Sequence, residues 1–163
     1  MIRLRNCNCR ARRCGNERSG LLALSNAARL KPHGVFVQAK IKPAKWFLAP
    51  TDDVRSCDAL EDAATEFDVQ GLEIDWTCLC WDANYRREGV AWQALQFKGT
   101  RWRSVNDAAR CTYVANSYRV LLTRSRQGMV VFVPHGSDED ATSVSLRCLD
   151  KGNRLDSAHL DFS

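Results

Sequence analysis

The sequence predicts an α/β fold with a mainly parallel sheet flanked by helices. Three observations lead there. Apolar runs of strand length begin near residues 20, 74 and 129. The stretches between them carry helical spacing or turn residues, so helices and loops separate the strands. One stretch, residues 83–103, departs from that rhythm, and its alternation around Lys98-Gly99 reads as an inserted hairpin. At 163 residues the chain is long enough for one domain with a full core. No apolar run approaches the roughly 20 residues of a membrane span. The N-terminal arginines are followed by no apolar stretch, so a signal peptide is not expected and the cytoplasm is the expected compartment.

Residues 1–19 show no periodicity and read as a basic tail. Six arginines (Arg3, Arg5, Arg10, Arg12, Arg13 and Arg18) face a single acid, Glu17, which accounts for the whole net charge of +5. Such an arm either follows a phosphate backbone by counterion release or is solvated without a partner. Cys7, Cys9 and Cys14 lie in it. Their spacing lacks the paired pattern of a zinc knuckle, and His33 is the only nearby fourth ligand, so no metal site is assigned. Cys78 and Cys80 alternate along an expected strand and read as small hydrophobes.

The body begins with a strand at residues 20–25 and a short helix at 26–31, closed by Pro32 and Gly34. Ser25 and Arg29 are polar positions to which no ligand contact is assigned. Residues 40–50 are basic and punctuated by proline, with Trp46 and Phe47 as core anchors. Their lysines suit either nucleic acid or solvent. Ser56 suits the N-cap of a helix over 57–64, followed by strands at 65–69 and 74–81. Between those strands lies Gln70-Gly71-Leu72-Glu73, a tight polar loop whose glycine lets the backbone come close to a ligand.

In the insertion, residues 92–97 form one hairpin strand and Arg101-Trp102-Arg103 the return. Basic residues beside Trp92, Phe97 and Trp102 offer a stacking surface for single-stranded bases. An insertion that packs its aromatics on its own domain is the alternative. Ser104 or Asn106 caps a long helix over about 105–127, with Gly128 just past its end. Residues 129–133 are an unbroken apolar run, the mark of a strand covered on both faces. Arg119, Arg124 and Arg126 project from the helix. A threonine-arginine pair at a helix end suits presenting a guanidinium to phosphate. Equally, arginine there is a solvated cation favoured by the helix dipole.

Two motifs sharpen this reading. QGLE-x-D before one strand and LLTRSRQG before another resemble motifs V and VI of superfamily 1 helicases. More closely, EDAATEFDVQGLEIDW, CWDANYRR, FKGTRWRSV and NSYRVLLTRSRQGMVVFVP resemble the group 3 Schlafen-like DNA/RNA helicase domains, a superfamily 1 helicase-like family. The resemblance runs from about residue 20 to about 136, and implies the second, RecA-like domain of a P-loop NTPase with a hairpin insertion at about 83–103. Residues 137–163, acidic and then irregular, fall outside it as a divergent tail.

The resemblance further implies ATP and magnesium in a complete two-domain protein, and DNA or RNA as the polymer acted on. Arg124 would be the arginine finger on the γ-phosphoryl group. Gln70, Gly71 and Glu73 would lie at the nucleotide cleft, and Arg126 would make a phosphate or structural contact. Arg101, Trp102 and Arg103 are the expected nucleic-acid contacts. The phosphate loop G-x4-G-K-S/T and the acidic magnesium ligand belong to the first domain of such enzymes, and the sequence contains no such loop. The chain is thus expected to carry half an active site, as a fragment or truncated member, and to be inactive alone. A stand-alone nucleic-acid-binding module is one alternative. A domain that docks onto a separate ATPase and completes its cleft in trans is another.

Overall fold

The computed structural model describes residues 17–37, 41–88, 90–99 and 101–134. In chain order the elements are β1 (Ser19–Ala23), β2 (Phe36–Val37), α1 (Pro43–Leu48), β3 (Asp62–Ala63) and β4 (Ile74–Cys80), then β5 (Tyr85–Glu88), β6 (Ala91–Lys98), β7 (Arg101–Ser104), α2 (Ala108–Leu122) and β8 (Ser125–Phe132). Two compact units result. One holds residues up to Asp82 together with Ser117–Phe132, and the other holds Ala83–Asn116. No helix among the described residues is long and apolar enough to cross a membrane.

Every ladder of the first unit is parallel. β4 lies between β1 and β8, and β2 pairs with β3. Ala64, directly after β3, bridges to Leu22, so the strands run β2-β3-β1-β4-β8 across one sheet. Backbone bonds from Ala23 N to Ala64 O and from Ala64 N to Leu21 O hold that joint at 3.0 and 2.9 Å. β1 and β4 are buried because their apolar runs are covered on both sides, as parallel strands require. Leu21, Leu22, Leu24, Leu30, Ile74, Leu79 and Leu121 have no exposed surface.

α1 starts at Pro43, whose fixed φ suits the first helical turn. Its Trp46 is buried, and the indole Nε1 donates to Asp62 O at 3.1 Å. A Cβ at Gly20 would lie 2.9 Å from that ring, so β1 needs glycine there for the close approach.

Buried charge fixes the same unit. Arg18 Nη1 donates to Asp58 Oδ2 at 3.1 Å and to Ala49 O at 2.7 Å, while Ser19 N donates to Asp58 Oδ1 at 2.9 Å. Arg18 and Ser19 therefore belong to the sheet rather than to the tail; Cys7, Cys9, Cys14 and most of the basic arm lie outside the described residues.

The second unit is an antiparallel sheet in the order β5-β6-β7, with Gly99 at positive φ between β6 and β7 as the hairpin expects. The architecture is thus mixed α/β, with one parallel and one antiparallel sheet.

Several local expectations are corrected. The helix over 105–127 is shorter, Ala108–Leu122, and Asp107 Oδ1, not Ser104 or Asn106, accepts from Ala109 N. Ser104 is already committed to β7. The helix stops early because Arg124 O accepts from Ile74 N, which draws the backbone into the β4 ladder. Gly128 is a strand residue and not a helix terminator: a Cβ there would overlap the Trp76 ring. Among the described strands β8 lies at the edge, so its apolar run is only half-buried and Val130 is exposed. The expected strand at 65–69 is a turn, closed by Thr65 N and Oγ1 donating to Asp68 Oδ2; the strand lies just before it, in β3. The helix over 57–64 is a single 3-10 turn, Cys57–Ala59, with the expected Ser56 cap. The helix at 26–31 is likewise 3-10, Ala28–His33, and ends on Gly34 in the left-handed region.

Candidate functional site

Parallel strands begin at one edge of their sheet, so the segments just before β4 and β8 are neighbours by construction. Residues 70–73 precede β4, and Thr123 and Arg124 precede β8. The register places Ile74 beside Ser125, and Ile74 N donates to Arg124 O at 2.9 Å. Two motifs some 50 residues apart in sequence therefore meet at the amino edge of the sheet.

The loop turns at Gly71, whose φ of 75° is a left-handed conformation that other residues adopt only with strain. Gln70, Gly71 and Glu73 are exposed, while Leu72 is half-buried. Arg124 leans across toward this loop. Its Nη1 donates to Leu72 O at 3.4 Å, Nε to Val120 O at 3.1 Å and Nη2 to Thr123 Oγ1 at 3.1 Å. None of these acceptors is a carboxylate. The guanidinium is held in place by neutral oxygens at a helix end, and no carboxylate among the described residues is bonded to it.

Arg126 has different surroundings. Its Nε and Nη1 lie 3.9 Å from Glu73 Oε2 and Asp75 Oδ1. Asp75 is the hub of this edge: its carboxylate also accepts from Arg18 N at 2.9 Å and from Gln127 Nε2 at 3.3 Å. The β4–β8 register advances two residues in β4, from Ile74 to Trp76, while it advances three in β8, from Ser125 to Gly128. One extra residue in β8 makes a bulge that re-aims Arg126 and Gln127, and Ser125 Oγ closes it onto Gly128 O. Sequence reasoning missed both Asp75 and the bulge. The glycine after Ser-Arg-Gln is the available signal, and helix-end patterning competes with it.

The opposite, carboxyl edge is internally satisfied. Glu66, which is buried, accepts from Ser25 N and Ser25 Oγ at 2.8 and 2.7 Å. Tyr118 stacks on Trp81 at 4.0 Å between ring centres, and its hydroxyl accepts from Asp82 N at 3.1 Å. Complete burial, reinforced by the Asp82 carboxylate, pushes that phenol well above its ordinary range. Among the described residues no group of three or more His, Cys, Asp or Glu side chains is placed to hold a metal ion.

In the second unit the hairpin forms, but it divides the three residues expected to act together. Cross-strand partners share a face and successive residues alternate. Lys98 pairs with Arg101, Gln96 with Arg103 and Arg87 with Trp92, which puts Arg87, Trp92, Gln96, Lys98, Arg101 and Arg103 on one face. Trp102 pairs with Phe97 on the other, where the two rings meet edge to face at 5.3 Å.

A family model for the Schlafen group 3 DNA/RNA helicase domain matches residues 4–135. No curated relative and no solved structure matches. The match covers both units and well over half of the sequence, and the chain belongs to the Schlafen group 3 DNA/RNA helicase domain family.

Proposed function

We propose that the chain is the second, RecA-like lobe of a superfamily 1-type helicase and contributes half of an ATP site. The observation that carries this reading is the placement of Arg124, a half-buried guanidinium bonded among the described residues only to neutral oxygens, beside the largely exposed 70–73 turn. A cation so held stabilises charge developing on a transferred phosphoryl group without first breaking an ion pair. Gly71 keeps the turn free of a side chain where a phosphate would approach, and Gln70 and Glu73 flank it. Arg126, paired with Glu73 and Asp75, orients the acidic side of the turn and makes at most a secondary phosphate contact.

The phosphate loop and the magnesium ligands come from a companion lobe, in cis or in trans. ATP supplies the γ-phosphoryl group, and DNA or RNA is the polymer on which the assembled enzyme acts.

The test is ATP turnover by a phosphate-loop lobe of the same family, measured with and without this chain. The chain alone gives no turnover. The assembled pair hydrolyses ATP, and Arg124→Ala lowers its rate by about 10³-fold or more, the size of effect known for arginine fingers. Arg126→Ala lowers it far less. Hydrolysis by the isolated chain, or an assembled activity that survives Arg124→Ala, overturns the proposal.

A further inference from the structure

The second unit carries a charge distribution that its own fold does not explain. Lys98 and Arg101 stand directly opposite each other across the β6–β7 ladder, and Arg103 follows two residues further along the same face. Like charges in directly opposed positions destabilise an antiparallel pair. All three side chains are exposed, and Arg87, also exposed, shares their face. No acidic residue of the three strands lies on that face: Glu88 pairs with Ala91 and faces the other way, where its Oε1 accepts from Arg86 Nη2 at 3.3 Å.

At the β5 end of the cationic face sits Trp92, half-buried, its ring stacked on Tyr85 at 5.0 Å with 12° between the planes. The face thus combines Arg101 and Arg103, about 7 Å apart along β7, and Lys98 opposite Arg101 with a flat aromatic platform at its other end backed by a second ring. A polyanion relieves the repulsion, and one with unpaired bases also covers the platform.

We propose that this face of the β5-β6-β7 sheet binds single-stranded nucleic acid, with Lys98, Arg101 and Arg103 on the phosphates and Trp92 beneath a base. Trp102 takes no part, because it lies on the opposite face. The surface shares no residue with the nucleotide half-site and functions without ATP, so the two proposals fail independently.

The experiment is fluorescence anisotropy of a labelled single-stranded oligonucleotide, as DNA and as RNA, titrated with the full chain across a salt series without nucleotide. Each cation removed should flatten the slope of log K against log salt by about 0.7, so the Lys98→Ala, Arg101→Ala, Arg103→Ala triple variant should lose about 2. Trp92→Ala should weaken binding roughly 5- to 150-fold. Trp92→Phe, which keeps the stack, should retain most of it and guards against misfolding. Arg110→Ala, an exposed cation on α2, should bind like the wild type. An unchanged salt slope in the triple variant overturns the proposal and leaves these cations as protection of the β7 edge against strand addition. Equal loss on Arg110→Ala, or equal affinity for duplex, also overturns it.

Discussion

The parallel sheet and the β6–β7 ladder treat their cations in opposite ways. In the parallel unit Arg18 sits on Asp58, Arg55 lies 3.0 Å from Asp62, and Arg126 lies between Glu73 and Asp75. In the antiparallel unit Lys98 and Arg101 oppose each other instead of an acid. The first arrangement spends charge on holding the chain together; the second leaves it available. Arg124 is the instructive case, since it belongs to the parallel unit yet is bonded like neither group, held by carbonyls and a hydroxyl. A cation that is positioned but not neutralised is suited to an anion that arrives later.

The largest expected effect comes from removing an acid that holds a paired cation. Asp58→Ala removes the carboxylate from Arg18, just before β1, and from Ser19 N at its first residue, and should lower stability by about 3 kcal/mol in urea unfolding. If Arg18 merely relaxes into solvent with no shift in midpoint, the buried pair does not anchor the sheet.

A pH series sharpens the same region. Burial, helped by the Asp58 charge, pushes the Cys57 thiol from 9.0 to about 11, against the opposing pull of Arg18. The unfolded chain therefore releases this proton at lower pH than the folded one. The stability that Cys57 contributes is intact below about pH 9 and is lost as pH rises toward 11. The urea midpoint of the wild type should fall across that window more steeply than that of Cys57→Ala. Tyr118, raised in the same direction, is present in both proteins and cancels.

The smallest effect is on the unpaired side and has the opposite sign. Arg101→Thr removes a like-charge opposition to Lys98 and should raise stability by a few tenths of a kcal/mol. A loss instead would mean that Arg101 has a stabilising partner.

Much of this was legible in the sequence where the signal is local. The apolar runs of β1 and β4, the turn at Gly71, the hairpin over Gly99 and the Ser56 cap each depend on residues within a few positions of one another. The features that escaped depend on distant partners. β3 is two residues long and is held by backbone pairing to β2 and by the Ala64 bridge to Leu22, which leaves no periodicity to read. Where α2 stops and β8 begins is decided by Ile74 and Trp76, about fifty positions earlier. The candidate site shows the same split. Its residue types at 70–73 and 124 were readable from motif and turn chemistry. Their adjacency, the Asp75 hub and the separation of Trp102 from Arg101 and Arg103 needed the register of each ladder.

A crystal structure of this chain assembled with its phosphate-loop lobe and a non-hydrolysable ATP analogue shows directly whether Arg124 reaches the nucleotide. The γ-phosphate should lie at the amino edge of the parallel sheet, with the Arg124 guanidinium within hydrogen-bonding distance, about 3 Å, and the 70–73 turn beside it. Open α/β sheets commonly bind ligands at the carboxyl ends of their strands. A nucleotide seated there, beside Ser25 and Glu66 with Arg124 still bonded to Leu72, would contradict that placement.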